Sequence, residues 1–551
     1  MSRRHPAALA TFTLILWISW ARPGLAQDST ESKLRNLISN TQLSWVRWPD
    51  ISRYVDDLER LYASQHWALL WLEQSRPSRP ARAALLRLAA ADEHGLEPRD
   101  YDAKTLDSLA RRLSSGALQP GDQVRFDLLL SVSLMRYVDD LRSGRLHPRP
   151  LSRSIPGVRS DLAADLASAI SGDSISRLID AAAPHFAQYR KLQQALARYR
   201  ALASDTSLQS KLPIASVKPG QFYRGLPRLR HRLAALGDLP ADWAIDTADT
   251  RYSGPLVDAV ARFQGRHGLP ADGVLGPDTF AELNVPLTKR VRQIQLALER
   301  LRWLPPIPRK PFLVVNLPAF ELFGFDSTGG AGAPSLRMKA VVGKSFGTLT
   351  PVLAEQLRYL VFRPYWYVPR SIVLAEILPL VRRNPAYLRN HDMELVGSGD
   401  RVLGDVATPE LLRQLAVGEI RLRQRPSSRN PMGSVKFVFP NAADVYLHGT
   451  PDVHLFAQAR RDFSHGCIRV EHPLDLAEWV LRDQPVWSRA RIEAAVKASG
   501  SSRVLLNHPM PVILFYTTAV VMPDGSVVFY HDIYGHDYRL DQALRSGPLA
   551  A

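Results

Sequence analysis

Between residues 45 and 205 the apolar positions recur every three to four residues. Segments such as ARAALLRLAAADEHGL, rich in Leu, Ala and Arg, run at helical spacing up to a glycine stop. This stretch reads as an all-α domain with no repeat of fixed period and no cluster of metal ligands. The texture changes near Lys218. Leu226, Leu229, Leu233 and Leu236 mark a helix ended by Gly237, and Leu256, Val260 and Phe263 mark a second, ended near Gly268. In LPADGVLGPDTFAELN, Asp272, Gly273 and Gly276 are turn residues, and Pro277 suits the first turn of a short helix with Phe280 and Leu283 facing inward. Three short helices make a module of about 70 residues. The proline-rich stretch 305–311 then reads as a linker. Strand patterns follow at 312–316, 321–323 and 336–342 and continue at close spacing to about residue 500. They break once, from about Pro369 to Arg429, where Ser371 can cap a helix holding Leu374, Ile377, Leu378 and Val381. They resume at SVKFVFPN and DVYLHGT. A helical insertion inside a β domain, placed just before the stretch richest in reactive side chains, has the character of a lid or cap, with an ordinary packing elaboration as the alternative.

The 551 residues exceed what one core organises and fit three or four domains. Apolar content of 46% with 22% charged residues excludes disorder. The first 26 residues stand apart. Arg3 and Arg4 precede the uncharged run 7–20, and Gly24, Leu25 and Ala26 offer small residues at a cleavage site. This is the pattern of a secretory signal peptide cut after Ala26; the uncharged run is short for a membrane span, and two adjacent arginines are weak grounds for a twin-arginine signal. The expectation is an exported, soluble, periplasmic or cell-envelope protein. Net charge is +17, and about +14 once Arg3, Arg4 and Arg22 are removed. A basic exported chain points to an anionic polymer or surface as partner. Nucleic acid does not fit, because no basic run is interleaved with aromatics. Export also changes the meaning of Cys467, the only cysteine. It has no internal disulfide partner, so it is either an inert buried thiol or a reactive one.

Its surroundings, DFSHGCIRV, favour chemistry. A thiol attacks as its thiolate and wants a base or a positive field beside it. His465 lies two residues before Cys467 and His448 nineteen before, and each is followed by glycine, Gly466 and Gly449. Residues two apart on a strand share a face, but Gly466 between His465 and Cys467 suggests a bend. His448 ends a strand of its own, and the loop TPDVHLFAQARRDF returns the chain to Cys467. A strand-end histidine facing a cysteine of the next strand is what a nucleophile–base pair needs. With no side chain at Gly466, the amides of Gly466 and Cys467 could face a developing oxyanion. Arg469 could favour the thiolate, bind a substrate carboxylate or brace the loop. Tyr446 shares the strand face of His448. His454 and His472 read as loop or surface residues.

These motifs resemble known families. The stretch from Phe263 to Thr279 matches the F-Q-x-x-x-G-L-x-x-D-G-x-x-G-x-x-T pattern of peptidoglycan-binding domains. YLHGT followed by SHGCIRV resembles the signature of the YkuD-type L,D-transpeptidase catalytic domain. RPYWYVPRSIVLAEILP, NPMGSVKFVFPNAADVYLHGTP and PVILFYTTAVVMPDGSVVFYHDIYG resemble the large YcbB-type branch, as does the order of the parts. The resemblance implies a multidomain α+β protein. Its parts would be a signal peptide at 1–26, an α-helical scaffold domain at 27–216, a three-helix peptidoglycan-binding module at 217–287 and a linker at 288–311. A mainly-β catalytic domain would follow at 312–500, with a helical cap inserted at about 370–430, and a segment at 501–551 would complete it. It implies Cys467 as nucleophile and His448 as its base, oriented by a backbone carbonyl. Gly466 and Cys467 would form the oxyanion site, with Ser464, His465 and Arg469 as motif residues near the thiol. The expected reaction forms 3→3 peptidoglycan cross-links from a tetrapeptide donor with release of D-alanine, and needs no metal or cofactor. The partners implied are stem peptides and glycan, with other cell-envelope enzymes as further candidates; oligomeric state has no signature in the chain. Hydrolysis of the same thioester, attachment of a protein amine to the wall, and a non-catalytic wall-binding scaffold are the alternatives.

Overall fold

The structure, a computed structural model, describes residues 30–117, 119, 121–146, 161–240, 251–304, 311–326, 334–345 and 347–547. The signal-peptide expectation lies outside these residues. Among them, no helix is long and apolar enough to cross a membrane.

The N-terminal helices pack around Asp122–Ser143, whose side chains are buried on nearly every face. That helix carries polar groups into the core, and its buried carboxylates are matched. Asp127 accepts from Tyr62 Oη and the Trp71 amide, both at 2.8 Å, and Asp140 from Tyr101 Oη at 2.8 Å. Buried polar groups persist only with such partners. The helix Ala187–Ser204 leaves this core. Its Tyr189, Leu192, Leu196 and Tyr199 stripe joins Ile294, Leu298 and Leu301 against Phe312, Ile513 and Phe515 on the back of the C-terminal sheet.

The next module has its own core of Leu229, Leu233, Val260, Phe263, Leu275 and Phe280. Its helices are Leu226–Leu236, Pro255–Gly265 and Pro277–Leu283. Gly237 closes the first in the left-handed conformation, φ +85°, as a glycine stop should. The module is fastened to the end of the chain, where the Phe529 amide donates to the Arg266 carbonyl at 2.8 Å and His267 stacks on the Phe529 ring.

Much of the expected linker at 288–311 is a buried helix, Leu287–Arg302. Two of its charges pair with distant residues, Arg300 with Asp537 and Arg292 with Asp541, and Arg302 pairs with its neighbour Glu299. Glu299 also accepts from the amides of Arg145 and Leu146 and from Trp303 Nε1. This helix is the strut that ties the helical N-terminal region to the sheet.

That sheet has nine strands: β1 (Phe312–Asn316), β2 (Glu321–Phe325), β3 (Leu336–Gly343), β4 (Leu353–Phe362), β5 (Val435–Val438), β6 (Leu447–His448), β7 (Asp462–Ser464), β8 (Ile468–Val470) and β9 (Ser502–Phe515). Their order is β7-β3-β8-β6-β5-β4-β9-β1-β2, and β2 also pairs with β3, so the sheet closes on itself. The C-terminal strand β9 is central, between β4 and β1. Between β4 and β5 stands the cap, with its own core of Val373, Ile377, Val381, Leu388, Leu395 and Leu422. It is not purely helical. Trp366–Tyr367, Met393–Val396, Val402–Gly404 and Arg421–Gln424 form a four-stranded sheet beside its helices. These strands are short and fully buried or mixed, so no alternation announces them in the sequence.

Candidate active site

The site is built on β6 and its two neighbours. β6 pairs antiparallel with β5, placing Lys436 opposite His448, and parallel with β8, placing His448 beside Arg469. Side chains alternate across a sheet. Phe437, Leu447 and Ile468 therefore point into the core, fully buried. The opposite face receives Lys436, Tyr446, His448, Cys467 and Arg469.

Cys467 sits at the start of β8, half-buried. Its sulfur is 4.0 Å from the Asp444 carbonyl oxygen and takes a hydrogen bond from the Tyr446 side chain. Burial pushes the thiol pKa up, and Tyr446 and the Lys436 charge oppose that rise. His448 is 5% exposed. Its Nδ1 donates to the Gly449 carbonyl oxygen at 2.6 Å. A carbonyl can only accept, so Nδ1 carries a proton in this contact, and the Pro431 carbonyl is a second backbone acceptor beside the ring. Burial, with Arg469 and Lys436 nearby, lowers the His448 pKa to about 3, so the imidazole is neutral at ordinary pH.

The loop before the cysteine is held from several sides. Gly466 has φ +113°, a conformation that favours glycine. Its amide donates to Ser464 Oγ at 3.1 Å, its carbonyl accepts from Thr350 Oγ1 at 2.8 Å, and Ser464 Oγ donates to the Cys467 carbonyl at 2.5 Å. The expectation that the Gly466 amide faces an oxyanion is therefore not met in this geometry. That N–H is engaged by a serine hydroxyl of its own loop, and the Cys467 amide is left as the candidate donor. His465 turns outward, its Nε2 3.0 Å from Glu376 Oε1 on the cap turn Val373–Ile377. Arg469 donates to Asp452 Oδ2 at 2.9 Å. Gly449 donates to the Val435 carbonyl at 3.0 Å. His454 and His472 are exposed or at the surface rim, outside this cluster.

Four contributors went unread in the sequence: Lys436, Asp444, Thr350 and Gly433. Only strand register and backbone proximity reveal them. The signal for Lys436 was its place in SVKFVF, a cation alternating with buried apolar residues.

Comparison with known proteins agrees with this layout. Three family models match in succession: a scaffold domain over residues 56–196, a "Putative peptidoglycan binding domain" over 225–283, and an L,D-transpeptidase catalytic domain of the YkuD family over 310–487. The chain carries a YkuD-type L,D-transpeptidase catalytic domain. The lone cysteine and the carbonyl-held histidine both fall within its span. A Haemophilus influenzae protein described as a "Putative L,D-transpeptidase" is 27% identical over 294 residues. The match covers 52% of this chain and 56% of that relative, so the chain spans about half of the relative's length. A crystal structure of the L,D-transpeptidase (residues 123–326) from Xylanimonas cellulosilytica aligns at 17% identity over 56% of this chain and 98% of that one. Its TM-score is 0.16, too low to bear on the fold.

Proposed function

We propose that this L,D-transpeptidase is exported and forms 3→3 peptidoglycan cross-links by acyl transfer through Cys467. The observation that supports the reading is a sole thiol on the same sheet face as a buried histidine whose Nδ1 donates to the Gly449 carbonyl. Such a histidine is a neutral base aimed by the backbone and needs no acidic partner.

In the first step His448 Nε2 takes the proton from Cys467 Sγ. The thiolate attacks the carbonyl of the third residue of a stem tetrapeptide, and its π electrons move to oxygen, facing the Cys467 amide. As the tetrahedral species collapses, the C–N bond breaks and His448 returns the proton to D-alanine. In the second step an amine of a neighbouring stem attacks the thioester, loses its proton to His448 and frees the thiol. The peptidoglycan-binding module on the same chain raises the effective concentration of stems near the thiol. The outward turn of His465 toward Glu376 favours His448 as the base.

The test is incubation of the full chain with disaccharide-tetrapeptides and mass analysis of the products. Cross-linked dimers are expected. Free tripeptides alone would instead mean hydrolysis, and unchanged substrate would mean a wall-binding protein.

A further inference from the structure

His448, held neutral down to about pH 3, cannot supply a resting imidazolium to hold a thiolate. Burial also works against ionising Cys467. A positive field must come from elsewhere if the thiol is to react near neutral pH. Two cations approach this face. Arg469 is engaged by Asp452 and bears on His448 rather than on the sulfur. Lys436 is different. Its ammonium lies 3.5 Å from the centroid of the Tyr446 ring, and the Tyr446 phenol bonds the Cys467 sulfur. The strand register fixes this arrangement, because Lys436 stands directly across from His448, and Tyr446 is two residues earlier on the same face. The Tyr446 hydroxyl keeps its proton, since burial and the sulfur's charge both oppose its ionisation, so it remains a donor. A cation on a phenol's π face draws electron density from the ring and makes that donor stronger.

We propose that Lys436 is a positioning residue for the nucleophile: its ammonium, seated on the Tyr446 ring, supplies the charge that stabilises the Cys467 thiolate through the Tyr446 hydroxyl. When the Sγ–H bond breaks, the proton goes to His448 Nε2, and the electron pair stays on sulfur beside the phenolic O–H. Asp444 is the opposing group. It works against the thiolate; burial lowers the Lys436 pKa, and the charges of Cys467 and Asp444 oppose that fall. His465 and Glu376 satisfy each other at the cap. The role rests on the reading of Cys467 as nucleophile.

The test uses the fact that Cys467 is the sole thiol, so iodoacetamide alkylation of the full chain reports it without any peptidoglycan substrate. The alkylation rate is followed from pH 5 to 10 for the parent protein, Lys436→Met, Lys436→Arg and Tyr446→Phe. Lys436→Met preserves the stem without the charge, and its midpoint should rise by about one pH unit, a tenfold slower reaction at pH 7. Lys436→Arg should retain most of the effect, and Tyr446→Phe should shift the midpoint in the same direction as Lys436→Met. A purely structural lysine would leave the midpoint in place, so an unshifted profile in folded Lys436→Met overturns the proposal. If Lys436→Met does not fold, an unshifted profile in Tyr446→Phe overturns it. Failure of the catalytic reading shows itself separately, as cross-linking retained by Cys467→Ala.

Discussion

Gly433 puts the orientation of His448 to a direct test. It has φ +62°, and its Cα hydrogen faces the backbone of the strand end that carries the histidine. A Cβ there would lie 2.5 Å from the Gly449 carbonyl carbon and from the Thr450 nitrogen, and 2.8 Å from Gly449 Cα. Those atoms are backbone and cannot rotate away. Ordinary contact begins at 3.4 Å, so Gly433→Ala requires a relative movement of about 0.9 Å. The Gly449 carbonyl accepts from His448 Nδ1 at 2.6 Å. A retreat of that size takes the bond beyond the ~3.2 Å at which N–H···O bonds end. The left-handed backbone costs a non-glycine residue about 1–2 kcal/mol, and the lost hydrogen bond about 1 more. Misaiming a base by close to 1 Å costs roughly a hundredfold in rate. Gly525→Ala is the matched control: φ is +83°, but nothing lies within 4 Å of its Cβ, so it carries the backbone cost without the collision. The assay is single-turnover formation of the Cys467 adduct, read by mass spectrometry on proteins with matched near-ultraviolet circular dichroism. The expected result is about a hundredfold slowing for Gly433→Ala and little change for Gly525→Ala. Slowing of less than threefold in folded Gly433→Ala would refute the argument.

Three further outcomes follow from the same structure. Glu299→Ala should destabilise the protein by about 3–5 kcal/mol, because it strands the buried Arg302 and two amides, and urea unfolding measures this. Burial raises the Asp140 pKa to about 7, so its ionisation costs stability as pH rises from the unfolded value near 3.9 to 7; Asp140→Asn should gain nothing at pH 4 and up to about 4 kcal/mol at pH 8. An equal gain at both pH values would contradict the cause given. Amide exchange across 371–430 should slow once Cys467 is acylated, and Glu376→Gln should speed exchange at 373–383 by removing the His465 contact; no change in either would remove the lid role of the cap.

The fold class was readable because its signals are local. The helices at 226–236 and 277–283 carry their own stops and starts, and β1 is an apolar run after prolines. The helix Leu287–Arg302 was missed in favour of a linker because Arg290, Arg292, Glu299, Arg300 and Arg302 look like solvent-facing charge. Arg300 and Arg292 find their partners in Asp537 and Asp541, which lie more than 200 residues away in sequence. The cap strands were missed for a similar reason: Arg423 is buried against Glu394, which breaks any apolar signature. At the site, the motif singled out Cys467, His448, Tyr446 and Arg469, and the strand register puts them on one face of the sheet. Lys436 needs the β5–β6 register, and Gly433 needs the close approach of two backbones, neither of which a linear reading contains.

The central claim is that Cys467 carries the acyl group. Intact-protein mass spectrometry after mixing with a disaccharide-tetrapeptide, followed by peptide mapping, measures this directly. The account predicts an adduct equal to the donor less D-alanine, located on Cys467 and discharged by an acceptor amine, and no adduct or cross-linked product with Cys467→Ala. Cross-linked product formed by Cys467→Ala, or an adduct mapped to any other residue, would contradict it.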